Sequence, residues 1–506
     1  MKIVLISPHL EIWDCGIRII SACLKKKGHD VKLIFLPRDF MFRYNERTLN
    51  SIVNLSRDSD LIGISVMTNL FSNAVQITQR LKKSLNIPII WGGVHSTIRP
   101  KECLDYADIV CIGEGEEAII ELVDKMRSNL SYYDIDGLWF KRIKTKEIIS
   151  NKIRSLIQDL DSFPFQDYDY TSHYILDNDK IHKMDKSLFL KYTYNKYMAM
   201  PTRGCPYGCS YCYNNTLNEM YHGQKIIRKR SPSNIINELI QVKEKMPFIN
   251  HIKFDDDAFF LYSYEELEEL CSKYKKNVNL PFSVSGASPI TINRDKLSLL
   301  VNAGLLKIRM GIQTASEQTM KLYKRHYTAL QIKNAVKIIN EFSKKLEVPQ
   351  YDIIIDNPWE SDKDLIKTLM FLSELETPYE LSIFSLTFYP GTEIYRLAKR
   401  DGIIKNDRRD VYDKHYHRCG KKYLNKLFFL LNEYTSGGGK ISPATMRLLT
   451  SDKIKELKLN WLFYFLLKIG AIPFKVKHLS SLIKEGLGDI QRGNWCRMKR
   501  YILKYF

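Results

Sequence analysis

RGCPYGCSYCYN, residues 203–214, sets three cysteines within eight residues at the spacing Cys205-x3-Cys209-x2-Cys212. Thiolates are the ligands that iron–sulfur clusters take. Three of them on one short loop can wrap a single cubane and leave one iron open to a small molecule. Gly204 and Gly208 allow the unusual backbone angles of such a wrap. A structural zinc site is the competing reading. It wants a fourth Cys or His nearby, and His222 is the candidate.

Working outward, the loop follows a strand pattern at Tyr197–Thr202. Further strand patterns recur near His251–Phe254, Phe282–Ser285, Lys307–Ile312, Tyr351–Ile355 and Leu381–Leu386, with helical stretches between them. Ser231-Pro232 is a cap followed by proline at the first helical position, ahead of the stripe Ile235, Ile236, Leu239 and Ile240. Six strand–helix units in series over residues 196–400 predict a complete or partial barrel, whose chemistry lies at the carboxyl ends of its strands.

Residues 1–130 show a second α/β pattern. Strands are expected at Lys2–Ile6, Val31–Phe35, Leu61–Ser65, Ile89–Gly92 and Ile109–Ile112, and a helix at Gly16–Lys27. Continuous apolar strands separated by helices indicate a doubly wound parallel sheet covered on both faces. Ligands of such sheets sit beyond the carboxyl ends of the strands, where Ser65–Asn69, Gly92–Ser96 and Gly113–Glu117 fall. Residues 131–195, rich in Asp, Pro and aromatics, read as a linker, and residues 401–506 as a mostly helical, basic region.

The chain of 506 residues is 44% hydrophobic and 26% charged, the composition of a multidomain folded protein. Of its formal charge of +20, about +13 lies from Asp401 onward. That asymmetry suits nucleic acid, a membrane surface or an anionic substrate, or a merely solvated basic face. No Lys/Arg run is long enough to be a polybasic motif. Scattered single cysteines and a start that reads directly as a strand argue against a secreted disulfide framework and for a reducing, cytoplasmic compartment. The apolar stretch Leu459–Phe474, interrupted by Lys468, is short for a membrane span and reads as a buried or docked helix.

The cysteine loop resembles the motif of the radical S-adenosylmethionine (SAM) superfamily, with Tyr211 and Tyr213 beside the last cysteine. The resemblance implies a 4Fe-4S cluster held by Cys205, Cys209 and Cys212, with SAM on the open iron. It also implies electron transfer that yields a 5′-deoxyadenosyl radical, and an external donor such as flavodoxin or ferredoxin. It assigns Tyr211, Tyr213, Asp256 in KFDDD, Ser285 in SVSGA and Gln313 in MGIQTAS to SAM. Gln313 stands where the family commonly has Glu, and IIIDNPWE (353–360) lacks the usual glycines. FYPGTEIY (388–395) resembles the end of the sixth strand in the cobalamin-linked subgroup.

Residues 1–130 resemble the Rossmann- or flavodoxin-like cobalamin-binding domain that precedes many such enzymes, through GIRIISACL (16–24), IGIS (62–65), GGVH (92–95) and GEGEEA (113–118). The implied cobalamin contacts are Ser65, Gly92, Gly93, Gly115 and Glu116. The Asp-x-His-x-x-Gly motif of cobalt-ligating domains is absent, so histidine is not expected on the lower face of cobalt. The fold class expected is therefore α/β: a doubly wound sheet, a partial (β/α)6 TIM-type barrel, then helices. The leading expectation is a cobalamin-dependent methyltransferase acting on a small-molecule or lipid-like substrate. A radical cyclase or rearrangement enzyme is the alternative, and a sensing module a further one. A tRNA-modifying enzyme ranks below these, because Cys15, Cys103 and Cys111 are poorly spaced for the extra cysteine trio of that group. Nucleic acid is accordingly a disfavoured partner, and the basic C-terminal region, with WLFYF at 461–465, is the candidate for membrane-surface contact.

Overall fold

The computed structural model describes residues 1–142, 145 and 147–456. The Leu459–Phe474 stretch and Cys496 lie outside the described residues. The chain divides into two compact units. The first joins Met1–Thr193, Met198–Asn234 and Thr387–His415; the second joins Tyr194–Tyr197, Ile235–Leu386 and the chain from Tyr416.

The first unit is built on nine strands: β1 Lys2–Ser7, β2 Asp30–Phe35, β3 Leu61–Ser65, β4 Ile89–Gly92, β5 Ile109–Cys111, β6 Leu138–Lys141, β7 Ile148–Ser150, β8 His173–Asp177 and β9 Lys180–Lys183. Their order is β7-β6-β5-β4-β3-β1-β2-β8-β9. The central β2-β1-β3-β4-β5 run is parallel. This is the flavodoxin-like order, and the winding reverses between β1 and β3. Ile3 to Ile6 and Leu61 to Ile64 are buried without alternation, as strands covered on both faces must be. The helix expected at Gly16–Lys27 is Cys15–Lys26, capped by Asp14, which accepts from the Ile17 amide.

Residues 131–195 are not a linker. They supply β6 and β7, antiparallel beyond β5, and β8 and β9, which extend the other edge beyond β2. The strands are short, and their turns mask them in a composition reading. Buried Asp167 anchors the segment, accepting from Ser21 Oγ at 2.6 Å and pairing with Lys25 at 2.8 Å.

In the barrel region β10 is Lys196–Ala199. Pro201 interrupts the single strand expected at Tyr197–Thr202, and a separate antiparallel ribbon follows, β11 Thr202–Arg203 with β12 Arg228–Lys229. The remaining strands are β13 His251–Phe254, β14 Phe282–Ala287, β15 Leu305–Gln313, β16 Gln350–Ile355 and β17 Glu380–Ser385. They form one sheet in the order β10-β13-β14-β15-β16-β17, and the pairings from β13 to β17 are parallel. β10 and β17 do not pair, so the (β/α)6 barrel is partial. Here burial does alternate: Tyr351, Ile353 and Ile355 are buried while Gln350, Asp352 and Ile354 are half-exposed. The buried set faces the crossover helices, and the other set lines the inner face.

The outer edge of β17 is covered by the helix Tyr423–Ser436, whose Asn432 accepts from the Leu381 amide at 2.6 Å. That pairing satisfies an edge strand that would otherwise present open backbone groups. Among the described residues no helix is long and apolar enough to cross a membrane.

Candidate active site

The β11–β12 ribbon frames the cysteine loop. Gly204 has φ +90°, and a Cβ there would stand 2.3 Å from the Ile226 carbonyl oxygen, so only glycine enters this turn. Asn218 Nδ2 donates to the Cys205 carbonyl at 2.8 Å, the Cys212 amide to Cys209 at 3.1 Å, and the Ile394 amide to Ser210 at 3.0 Å. Cys209 is buried, and Cys205 and Cys212 are half-buried. Cys212 caps the helix Tyr213–Met220, whose positive end favours a thiolate. Tyr211 and Tyr213, half-buried, flank it. Among the described residues no three His, Cys, Asp or Glu side chains converge as a single metal ion requires. A cubane needs no such convergence, because each thiolate takes a different iron. The three-cysteine loop therefore suits a cluster.

A buried charge network ties this loop to the GEGEE loop after β5. Arg203 pairs with Glu116 at 2.5 Å and with Glu114 at 3.3 Å. Arg228, opposite Arg203 in the ribbon, donates to both Glu114 oxygens at 2.8 and 2.6 Å. Burial pushes the Glu114 carboxyl up, but the Arg228 hydrogen bonds and the Arg203 and Arg228 charges outweigh it and hold the group below its ordinary value. Tyr221 O–H lies 3.3 Å from the Glu114 amide, which donates to it. Glu116, expected as a cobalamin contact, carries this ion pair with Arg203. Neither guanidinium was singled out from sequence, since a lone Arg carries no local signal of its partner.

At the carboxyl rim of the first sheet, Ser65 Oγ lies 3.3 Å from His9 Nε2, which is also 3.3 Å from Asp14. Ser65 is thus part of a protein cluster at the β1/β3 reversal. Gly93, exposed after β4, has φ +101°, and a Cβ would stand 2.9 Å from the Val66 carbonyl oxygen. Bare backbone is obligatory there. Gly92 precedes it at the strand end; Gly115 packs near Cys111 Sγ and begins the helix Glu116–Arg127. Leu10 and Met67, at the ends of β1 and β3, are 47% and 37% exposed. Exposed apolar side chains and bare backbone around a switch point fit a broad, flat ligand. His95 is fully buried against Phe71 and Tyr412, and burial lowers its pKa to about 3.

In the second unit, Ser285 donates to Asp255 at 2.5 Å, and Lys253 pairs with the same carboxylate at 3.1 Å. Burial raises the Asp255 carboxyl, but Lys253 and the Ser285 hydrogen bond leave it lowered overall. Asp256 is buried and accepts from the Ala258 amide at 2.7 Å, shaping the turn after β13. Asp255 is thus the carboxylate that shares the half-exposed face of this strand end, while Asp256, expected as the SAM contact, is the buried one. Strand parity carried the signal: 251, 253 and 255 share a face. Gln313 ends β15 at φ +67°, with Oε1 buried and unpartnered. An unpaired amide acceptor at a strand end suits a ribose hydroxyl.

A flavodoxin-like domain tied to a three-cysteine loop, in a chain that also builds a partial (β/α)6 barrel, is the build of a cluster-bearing radical enzyme with an appended cofactor domain. Family models agree: one for the B12 binding domain matches residues 1–123, and one for the radical SAM superfamily matches residues 200–372. The chain belongs to the radical SAM enzymes that carry an N-terminal B12-binding domain. An uncharacterized methyltransferase of Pyrococcus horikoshii is 26% identical over 391 residues, covering 76% of this chain and 78% of the relative. An anaerobic magnesium-protoporphyrin IX monomethyl ester cyclase of Synechocystis sp. is 21% identical over 437 residues, covering 81% and 77%. The solved structure of OxsB, a cobalamin-dependent S-adenosylmethionine radical enzyme with aqua-cobalamin and SAM bound, shares the fold with a TM-score of 0.63 at 16% identity, over 92% of this chain and 72% of that one.

Proposed function

We infer that the protein is a cobalamin-dependent radical SAM methyltransferase acting on a small molecule. The observation that carries this reading is the Arg203–Glu116 and Arg228–Glu114 network, which fastens the cysteine loop to the rim loop of the B12-binding domain. When bound, the cluster and SAM supply the 5′-deoxyadenosyl radical, and cobalamin supplies a methyl carrier. Cys205, Cys209 and Cys212 are assigned to the cluster. Tyr211, Tyr213, Ser285 with Asp255, and Gln313 are assigned to SAM. The backbone of Gly92 and Gly93, with Leu10 and Met67, is assigned to the corrin, while Ser65, Gly115 and Glu116 shape the rim from behind. FYPGTEIY contributes Ile394, which steadies the cysteine loop at Ser210.

The test is anaerobic turnover of the reconstituted full chain. Cys209→Ala should abolish 5′-deoxyadenosine formation; undiminished formation would remove the core of the reading. The cyclase relative keeps a second reading alive, ring closure without methyl transfer. Label from methyl-labelled SAM appearing in product decides for methylation, and its absence from a turned-over product decides for cyclisation. Iron–sulfur tRNA modification finds less support: burial pushes the Cys111 thiol up to about 12 and raises that of Cys103, the opposite of what thiolate ligands need.

A further inference from the structure

After β17 the chain returns across the carboxyl ends of the last two barrel strands as a short strap, residues 416–422, YHRCGKK. The Tyr416 carbonyl accepts from the Ser385 amide at 2.7 Å, at the end of β17. Asp356, one residue beyond β16, accepts from the Gly420 amide at 2.7 Å and from Asn425 Nδ2 at 2.6 Å. Asn425, itself fully buried, also donates to the Gly420 carbonyl at 3.1 Å.

Asp356 makes these bonds from φ +62°, a conformation costly for a non-glycine residue, which persists only where the surroundings over-determine it. Gly420 leaves no latitude, since a Cβ would lie 2.6 Å from Asp356 Oδ1. The strap is thus clamped, and what it presents is specific. Tyr416 and His417 stand 6.2 and 5.2 Å from Phe384, an inner-face residue of β17, and 4.4 Å from each other. Arg309, held by Asp352 at 2.7 Å, lies over the other partner of this group, the Phe384 ring, at 5.5 Å. On the same strap, Arg418 and Lys421 are exposed, and neither forms an ion pair among the described residues.

Resting on the methyltransferase reading, we propose that the 416–422 strap is the substrate-recognition wall of the barrel. Its rings and those of Phe384 receive a flat unsaturated body, and Arg418 and Lys421 bind a carboxylate or phosphate on the same molecule. Asp356 is a positioning residue that holds the strap. Cations with no ion pair among the described residues, on the same strap as a cluster of aromatic rings, are matched by an anionic substrate, which would satisfy both features at once. Part of the basic excess beyond residue 401 thereby acquires a function.

The probes are 2-naphthoate, 2-naphthyl phosphate and neutral 2-naphthol, titrated calorimetrically into the reconstituted full chain. At least one anion is expected to bind about tenfold or more tightly than 2-naphthol, and the tighter of the two identifies the group read. Arg418→Gln with Lys421→Gln, at exposed positions that leave the fold intact, should erase that preference. Asp356→Asn should speed deuterium exchange at the Gly420 amide by about tenfold and weaken anion binding. No anion preference in the parent protein, or full preference in the double variant, overturns the proposal. So does a single-stranded oligonucleotide binding more tightly than either naphthyl anion. Probe binding needs no radical chemistry, so this failure is distinguishable from failure of methyl transfer.

Discussion

Replacing Glu114 by Gln probes the network that joins cysteine loop and cofactor domain. The native cluster is neutral: two guanidiniums, Arg203 and Arg228, against Glu114 and Glu116. Glu114→Gln leaves one carboxylate, which reaches only Arg203. Arg228, whose side chain is 3% exposed, keeps the carbonyls of Ile157 and Ile226 and one amide oxygen but loses its countercharge. Removing one partner of a buried pair costs about 3–5 kcal/mol, and the 23% exposure of Glu114 brings the expectation to about 2–3 kcal/mol. Restoring neutrality with Arg228→Gln should recover more than about 1 kcal/mol, a coupling the single variants cannot show. The sign with pH is fixed by the depressed Glu114 carboxyl. Its contribution is full above the unfolded pKa and is lost as pH falls through the lower folded value, so the gap between parent and variant should narrow below about pH 4.5. The assay is urea denaturation at constant m-value, at pH 7 and pH 4, with iron bound per chain measured after reconstitution. A loss under about 0.5 kcal/mol, or strictly additive variants, would refute the reasoning.

Gly93→Ala should cost about 1–3 kcal/mol in thermal unfolding, from φ +101° and the Val66 carbonyl, and weaken cobalamin binding measured by its absorbance. Asp255→Asn should lower the rate of 5′-deoxyadenosine formation at least about tenfold, whereas Asp256→Asn, able to keep the turn to Ala258, should change it little; equal effects would return the role to Asp256. Burial raises the Glu360 carboxyl to about 7, so it favours the fold at low pH and that advantage is lost as pH rises through 7; Glu360→Gln should be more stable than the parent at pH 8 by roughly 2 kcal/mol and equal to it at pH 4.

Much of the architecture was legible because it is local. A 12-residue segment fixes the cysteine spacing, and short apolar runs fix the strands: Leu61–Ser65, Ile89–Gly92 and His251–Phe254 have their expected limits. Continuous burial in the first sheet follows from its sequence in the same way. Residues 131–195 escaped, because β6 to β9 are three to five residues long and gain stability only by pairing on a sheet formed earlier in the chain. The resemblance of GEGEEA marks Glu116 as a cobalamin contact; its ion-pair partner Arg203 is 87 positions away, beyond the reach of any local pattern. Asp255 and Asp256 continue opposite faces of β13, and the second is the buried one. Sequence by itself determined the cluster chemistry and the two α/β folds, since both depend on spacing and periodicity. Tertiary structure alone decided which charges are spent on each other and which remain for a ligand, since burial and pairing are properties of side chains brought together from distant parts of the chain.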